Sequence, residues 1–310
     1  MAVDFPHPIP MGWFALMAAD ALDPGALETR RAFGRDLVIW RGESGAICVS
    51  EAFCPHLGAH LGHGGRVAGD RIRCPFHGWS FDAGGRCRDI PYAKRIPPGA
   101  TLETWPSLER NGALWVWYAP DGQSPFYEPP VVAESMRDDW QVVDRRHWTI
   151  STQIQEMSEN GVDAPHFQAV HGATALPESE IRVDGATRVA VQKAPLQTSR
   201  GAATSWITVT QVGLGFSYTR FTGLVETTTL NFVVPRDADT IDLSVVFLQP
   251  AAEAGSRGMR AIIADLQRQI DEDVPIWENK IYRERPALCE GDGPIREFRQ
   301  WCRQFYVDAP

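Results

Sequence analysis

Two cysteine-histidine pairs near the front of the chain constrain it more than any other feature. They are Cys54-Pro55-His56 and Cys74-Pro75-Phe76-His77, with the cysteines twenty residues apart. Two thiolates and two imidazoles in matched pairs can hold a two-iron, two-sulfur cluster. The thiolates take one iron and the imidazoles the other, and the neutral ligands raise the reduction potential. The front third of the chain therefore reads as an electron relay.

The surroundings suit that task. Residues 56–85 contain eight glycines, a density that favours tight loops over helices. Gly58 and Gly78 follow shortly after the second ligand of each pair, where backbone N–H groups can point at sulfide and tune the potential. Proline beside each cysteine stiffens the loop. Zinc also accepts two cysteines and two histidines. Its common patterns space the cysteines closely and the histidines separately, whereas here each cysteine has its own histidine.

Leu37-Val38-Ile39-Trp40 and Ala46-Ile47-Cys48-Val49 flank a turn and read as a hairpin. Arg71-Ile72-Arg73 and Leu114-Trp115-Val116-Trp117-Tyr118 read as further strands. These predict a small β-rich domain over 1–120, with a turn-rich boundary at 119–130. The remainder, 121–310, changes character. Its pattern predicts a helix over 151–167, then strands over 189–196, 205–212, 215–222, 224–234 and 241–248. A long helical region over 256–284, interrupted at Pro275, and a last helix over 295–306 follow. Alternation of Trp206, Thr208 and Thr210 with Ile207 and Val209 points to an antiparallel sheet. The fold class is α+β.

The second part carries its own candidate site, Asn160-Gly161-Val162-Asp163-Ala164-Pro165-His166 and then His171. Two histidines and a distant carboxylate form a facial triad that leaves open positions on iron(II) for dioxygen. Five residues turn a helix by about 500°, so the helix must end or distort between His166 and His171. Asp163 lies three residues before His166 and can orient it as a hydrogen-bond acceptor. An electron relay fused to a large domain needs a terminal acceptor, which favours the metal reading. The carboxylate candidates are Asp265, Asp271, Glu272, Asp273 and Glu278. Asp273 precedes the apolar Val274-Pro275-Ile276-Trp277, which can bury it. Spacing does not choose between Asp271 and Asp273.

Charge and composition exclude several classes. Lys plus Arg is 30 and Asp plus Glu is 39, a net charge of -9, so the basic footprint of a nucleic-acid binder is absent. No apolar run reaches the length of a membrane span, and the start lacks a basic segment followed by an apolar one, which points to the cytoplasm. Cys48, Cys87, Cys289 and Cys302 are expected to be buried free thiols. No Gly-x-Gly-x-x-Gly follows a strand and no second cysteine group is present, so flavin and nicotinamide binding are expected on another polypeptide. His7, Arg66, Arg71, Arg73, Arg86 and Arg88 either dock an acidic redox carrier or form a solvated rim. Phe216, Tyr218, Phe221, Phe232 and Phe247 are candidates to line a substrate cavity.

Over nearly its whole length the chain resembles the large subunits of Rieske non-heme iron oxygenases. The paired motifs and Asn160-Gly161-Val162-Asp163-Ala164-Pro165-His166-Phe167-Gln168-Ala169-Val170-His171 carry the resemblance. It is more narrowly similar to the branch of 3-ketosteroid 9α-hydroxylase oxygenase components and cholesterol 7-desaturases. That match rests on Asp36-Leu37-Val38-Ile39-Trp40-Arg41, Ile90-Pro91-Tyr92, Asp292-Gly293-Pro294-Ile295 and Arg299-Gln300-Trp301-Cys302-Arg303-Gln304-Phe305-Tyr306. Many relatives in this branch run longer past the corresponding tail.

The resemblance implies a Rieske [2Fe-2S] domain followed by a helix-grip catalytic domain. Cys54 and Cys74 would bind one cluster iron, and His56 and His77 the other. His166, His171 and Asp273 would hold a mononuclear Fe(II), with Asn160 and Asp163 as catalytic residues. Asp163 would bridge the iron to the cluster of a neighbouring subunit through that subunit's counterpart of His77, in a head-to-tail homotrimer. The activity implied is monooxygenation of a C–H bond in a hydrophobic polycyclic substrate, a steroid, with O2 as co-substrate. Electrons would come from NAD(P)H through a separate ferredoxin or flavin-dependent reductase. Desaturation of a sterol and demethylation or hydroxylation of a non-steroidal substrate are the enzymatic alternatives. A pure electron carrier is the rival from another class.

Overall fold

Short runs of β-branched and aromatic residues between glycine turns give the first unit three small sheets. The structure, a computed structural model, describes residues 9–173, 179–198, 201–223 and 226–307. The first unit is Phe14–Tyr118, and the second joins Met1–Trp13 to Ala119–Pro310. In the first unit one sheet orders the strands Gly12–Ala18, Ala113–Tyr118 and Ser107–Arg110. A second orders Leu27–Ala32, Arg35–Arg41, Ile47–Glu51 and Thr104–Trp105. The third orders Arg66–Ala68, Arg71–Arg73, Ser80–Asp82 and Cys87–Asp89. Trp40, Trp115, Trp117, Phe14 and Phe81 are fully buried.

The second unit is built on a seven-stranded antiparallel sheet. Its order is Trp140–Ile150, Ile241–Pro250, Thr227–Pro235, Phe216–Thr222, Gly201–Val212, Thr187–Thr198, Ser179–Asp184. Its helices are α1 (Ile154–Glu159), α2 (Ala164–Ala169), α3 (Arg257–Asn279) and α4 (Ile295–Cys302). The α+β architecture expected from the pattern is present. Two strands escaped the pattern. Trp140–Ile150 is an edge strand with Asp144, Arg145, Arg146 and His147 along it, so it lacks apolar alternation. Ser179–Asp184 is the opposite edge and almost wholly exposed. Pro275 neither breaks nor restarts α3, which runs through it to Asn279. The expected strand start at Leu224, and His7, lie outside the described residues. Of the four spare thiols, Cys48, Cys87 and Cys302 are buried and free, but Cys289 is free and exposed.

Packing fixes α3 and α1 for their later role. The Trp148 indole donates to Asp271 Oδ1 at 2.9 Å and the Gln267 amide to Asp144 Oδ2 at 3.1 Å, tying α3 to the edge strand. Buried acids on α1 are paired with the tail. Arg299 donates to both oxygens of Glu159 at 2.6 and 2.8 Å, and Lys280 reaches Glu156 at 2.7 Å.

On the opposite face of the sheet, Arg220 makes a two-bond pair with Glu134, its Nη2 donating at 2.9 Å, and Thr228 Oγ1 donates to the same carboxylate. Burial alone would raise the Glu134 carboxyl, but the bonds from Arg220 hold it below its ordinary value of 4.5. A depressed carboxylate stabilises above its unfolded pKa, and that contribution is lost as pH falls through the folded one. Glu134→Gln is therefore expected to cost about 2–3 kcal/mol at neutral pH. The gap to wild type should close as pH falls below 4.5, as read from urea midpoints across pH.

Candidate metal centres and cavity

The two Cys-His loops of the first unit have matching backbone geometry. The carbonyl of Cys54 accepts from Gly58 N–H at 2.9 Å, and that of Cys74 from Gly78 N–H at 3.1 Å. Each cysteine N–H in turn donates five residues on, Cys54 to Ala59 and Cys74 to Trp79. Both closing glycines take positive φ, 72° at Gly58 and 73° at Gly78, where a Cβ is strained. The second loop springs from the Arg71–Arg73 strand and returns in Ser80–Asp82, which fixes its base.

The loops bring the four predicted ligands together. The rings of His56 and His77 lie 4.7 Å apart. Cys54 and Cys74 are buried, while the imidazoles sit further out beside exposed Leu57 and Phe76. Burial, with Cys74 close by, pushes the Cys54 thiol up to about 12. Two buried thiols crowded together suit a metal that takes them as thiolates. One contributor escaped the pattern. The Trp79 ring stacks on His56 at 4.6 Å and 8°, and its indole N–H donates to Tyr92 Oη at 2.9 Å.

In the second unit, the break between α1 and α2 creates the other constellation. A 3-10 turn at Asn160–Val162 ends in Asp163 at φ -85° and ψ 87°, and α2 restarts with Pro165 in its first turn. His166 therefore projects from α2, while His171 follows its end, so the helix does stop between the two histidines. The donor atoms of His166, His171 and Asp273 all lie within 4.8 Å of one another. Asp271 is not part of this group; its carboxylate is occupied by Trp148.

Each imidazole is oriented by its Nδ1. That of His166 meets the backbone carbonyl of Asp163. The Asp163 carboxylate makes no cap bond to α2, so the orienting acceptor is its main chain rather than the side chain expected from spacing. His171 Nδ1 donates to Glu272 Oε2 at 2.9 Å. The Nε2 of His171 faces Asp273, and that of His166 faces Asn160. His171 Nε2 is 3.3 Å from Oδ1, and Asn160 Nδ2 donates to Oδ2 at 2.9 Å and lies 3.1 Å from His166 Nε2. Burial raises the Asp273 carboxyl above its ordinary value despite the two histidines beside it. Two imidazole nitrogens beside a buried carboxylate form the donor set of a facial triad.

A cavity of about 200 Å³ opens beside these three residues. Phe167, Leu266 and Ile270 wall it from the helices, and Phe221, Val245 and Phe247 from the sheet. Of the five aromatics expected to line it, only Phe221 and Phe247 do. Side chains alternate faces along a strand. Phe216 and Phe232, paired in register, stack at 5.3 Å in the core of the other face, and Tyr218 shares their parity. Thr219, Thr229, Asn231 and Gln269 give the cavity a polar side that hydrophobicity could not reveal.

Comparison with known proteins places both domains in known families. Residues 12–106 match the Rieske [2Fe-2S] domain, and residues 116–306 match the 3-Ketosteroid 9alpha-hydroxylase C-terminal domain. The cholesterol 7-desaturase nvd of Bombyx mori is 31% identical over 99% of this chain and 72% of its own length. A 3-ketosteroid-9-alpha-monooxygenase oxygenase component of Rhodococcus rhodochrous is 31% identical over 96% of this chain and 80% of its own. Among solved structures, dicamba monooxygenase bound to dicamba superposes with a TM-score of 0.76 at 18% identity. It covers 95% of this chain and 96% of its own, a likeness of fold. With a Rieske domain in front and the steroid-hydroxylase type of catalytic domain behind, the chain belongs to the Rieske oxygenases, in the 3-ketosteroid 9α-hydroxylase branch.

Proposed function

We propose that the chain is the terminal oxygenase component of a monooxygenase that hydroxylates an unactivated C–H bond of a steroid. The observation that carries the proposal is the convergence of His166, His171 and buried Asp273, whose donor atoms lie within 4.8 Å of one another, beside a largely apolar cavity. In this reading Cys54, Cys74, His56 and His77 hold the [2Fe-2S] cluster in the first unit. His166, His171 and Asp273 hold a mononuclear Fe(II) in the second. When bound, these groups supply single-electron delivery and O2 reduction.

The remaining work belongs to the protein. The Asp163 carbonyl and Glu272 fix the imidazole tautomers, and Asn160 holds Asp273 in place. The walls at Phe221, Phe247 and Ile270 exclude water and leave the substrate beside the iron site rather than on it. The overall change is C–H plus O2, two electrons and two protons to C–OH plus water. Electrons come from NAD(P)H through a separate ferredoxin or flavin-dependent reductase, in the cytoplasm. Within a head-to-tail homotrimer, Asp163 links its iron site to the cluster histidine of the next subunit. No helix of the described residues is long and apolar enough to cross a membrane.

Sterol desaturation is the second reading, favoured by the 31% identity to a cholesterol 7-desaturase. Both outcomes start from hydrogen abstraction at the same place. The test is turnover with a promiscuous reductase on a panel of sterols, 3-ketosteroids and aromatic acids, read by mass spectrometry with iron analysis. Three irons per chain and a steroid product one oxygen heavier are expected. A product two hydrogens lighter supports the desaturase. Turnover of a non-steroidal scaffold alone removes the substrate assignment, and two irons per chain would make the protein an electron carrier.

A further inference from the structure

We infer that Glu272, locked by Arg268, is a positioning residue that sets the donor strength of His171 and so the hold of the site on its metal. The inference rests on the mononuclear iron reading above. Glu272 and Asp273 are consecutive on α3, so their side chains point about 100° apart. Between them they grip one imidazole at both ends. Asp273 Oδ1 faces Nε2 at 3.3 Å, and Glu272 Oε2 accepts from Nδ1 at 2.9 Å. The His171 side chain is only 4% exposed, whereas Glu272 is 34% exposed and reaches the ring from the surface.

Glu272 is itself held in place. Arg268, one turn earlier, donates through Nη1 to both of its oxygens at 2.5 and 2.6 Å, and through Nη2 to Asp265 at 2.7 Å. The two histidines are thus oriented differently. His166 leans on a neutral backbone carbonyl, whereas His171 leans on an anion. An anionic acceptor makes the imidazole the stronger donor and fixes its tautomer more firmly. On exposed α3 the Arg268 pair alone would stabilise the fold very little. Its consequence is geometric: it selects the one Glu272 rotamer that reaches His171.

The test compares wild type, His171→Ala, Glu272→Gln and Glu272→Ala in the full-length, cluster-loaded protein. Ferrous affinity is read by chelator competition, and the EPR signal of the ferrous–nitric oxide complex reports the ligand field. Glu272→Gln keeps an acceptor but loses the charge, and should weaken iron binding about 10-fold, with Glu272→Ala weaker still, toward about 100-fold. The nitric oxide signal should shift, while cluster absorbance and melting temperature stay as in wild type. Wild-type affinity and an unshifted signal in both Glu272 variants, with His171→Ala iron-free, overturns the inference and leaves the iron site standing. A wild type that holds no third iron overturns both.

Discussion

Asp163→Ala should abolish turnover while both metal centres stay loaded. The expectation follows from the two separate parts of this residue. Its main-chain carbonyl accepts from His166 Nδ1, and alanine keeps that carbonyl. Its carboxylate makes no cap bond to α2, so its removal leaves the helix start as it was, with Pro165 still in the first turn. His166, His171 and Asp273 then keep their convergence, and iron content should match wild type. What is lost is the proposed link from this iron site to the neighbouring subunit's cluster. A misplaced or missing positioning group costs about 100-fold or more in rate. The measurement is single-turnover reoxidation of the reduced cluster with substrate and O2 present. The cluster should reduce normally and then stay reduced. Normal reoxidation by the variant would remove the bridge.

Much of this site was legible because metal chemistry restricts residue type. Cys54, His56, Cys74 and His77 have no ordinary structural use in that pairing, and the structure gathers them in two matching loops. His166 and His171 were legible in the same way, including the helix end between them. Asp273 could be separated from Asp271 by resemblance but not by spacing. In the structure the two lie on one helix, and only the direction of each side chain tells them apart. Glu272 was hidden for the same reason. An acid on an exposed helix face looks solvated until the partner, 101 residues away in sequence, is known. The sheet core was readable by alternation, but its edges were not. Trp140–Ile150 and Ser179–Asp184 face water on too many positions for period two to show. Which aromatics face the cavity depended on register, and register is a property of pairs of strands.

Gly293→Ala should empty the mononuclear site although Gly293 is not a ligand. An added Cβ would stand 1.7 Å from the Val162 carbonyl oxygen and 3.0 Å from its carbon. Real Cβ atoms do not approach backbone that closely, and a main-chain oxygen cannot rotate away as a side chain would. Either the tail or the 160–162 turn must move. The tail is the stiffer choice. Pro294 follows directly, α4 begins at Ile295, and Arg299 on that helix is bonded twice to Glu159. The Asn160–Val162 turn is short and ends in the Asp163 backbone that orients His166. Displacement there also pulls Asn160 from Asp273. Overpacking of this kind costs about 1–3 kcal/mol, well within what a domain of this size survives. The expected protein is folded, with an intact cluster spectrum, about two irons per chain instead of three, and turnover lost with the third iron. Full iron content with wild-type turnover would mean that the tail yields instead, and that the Asp292-Gly293-Pro294 segment does not set the shape of the metal turn.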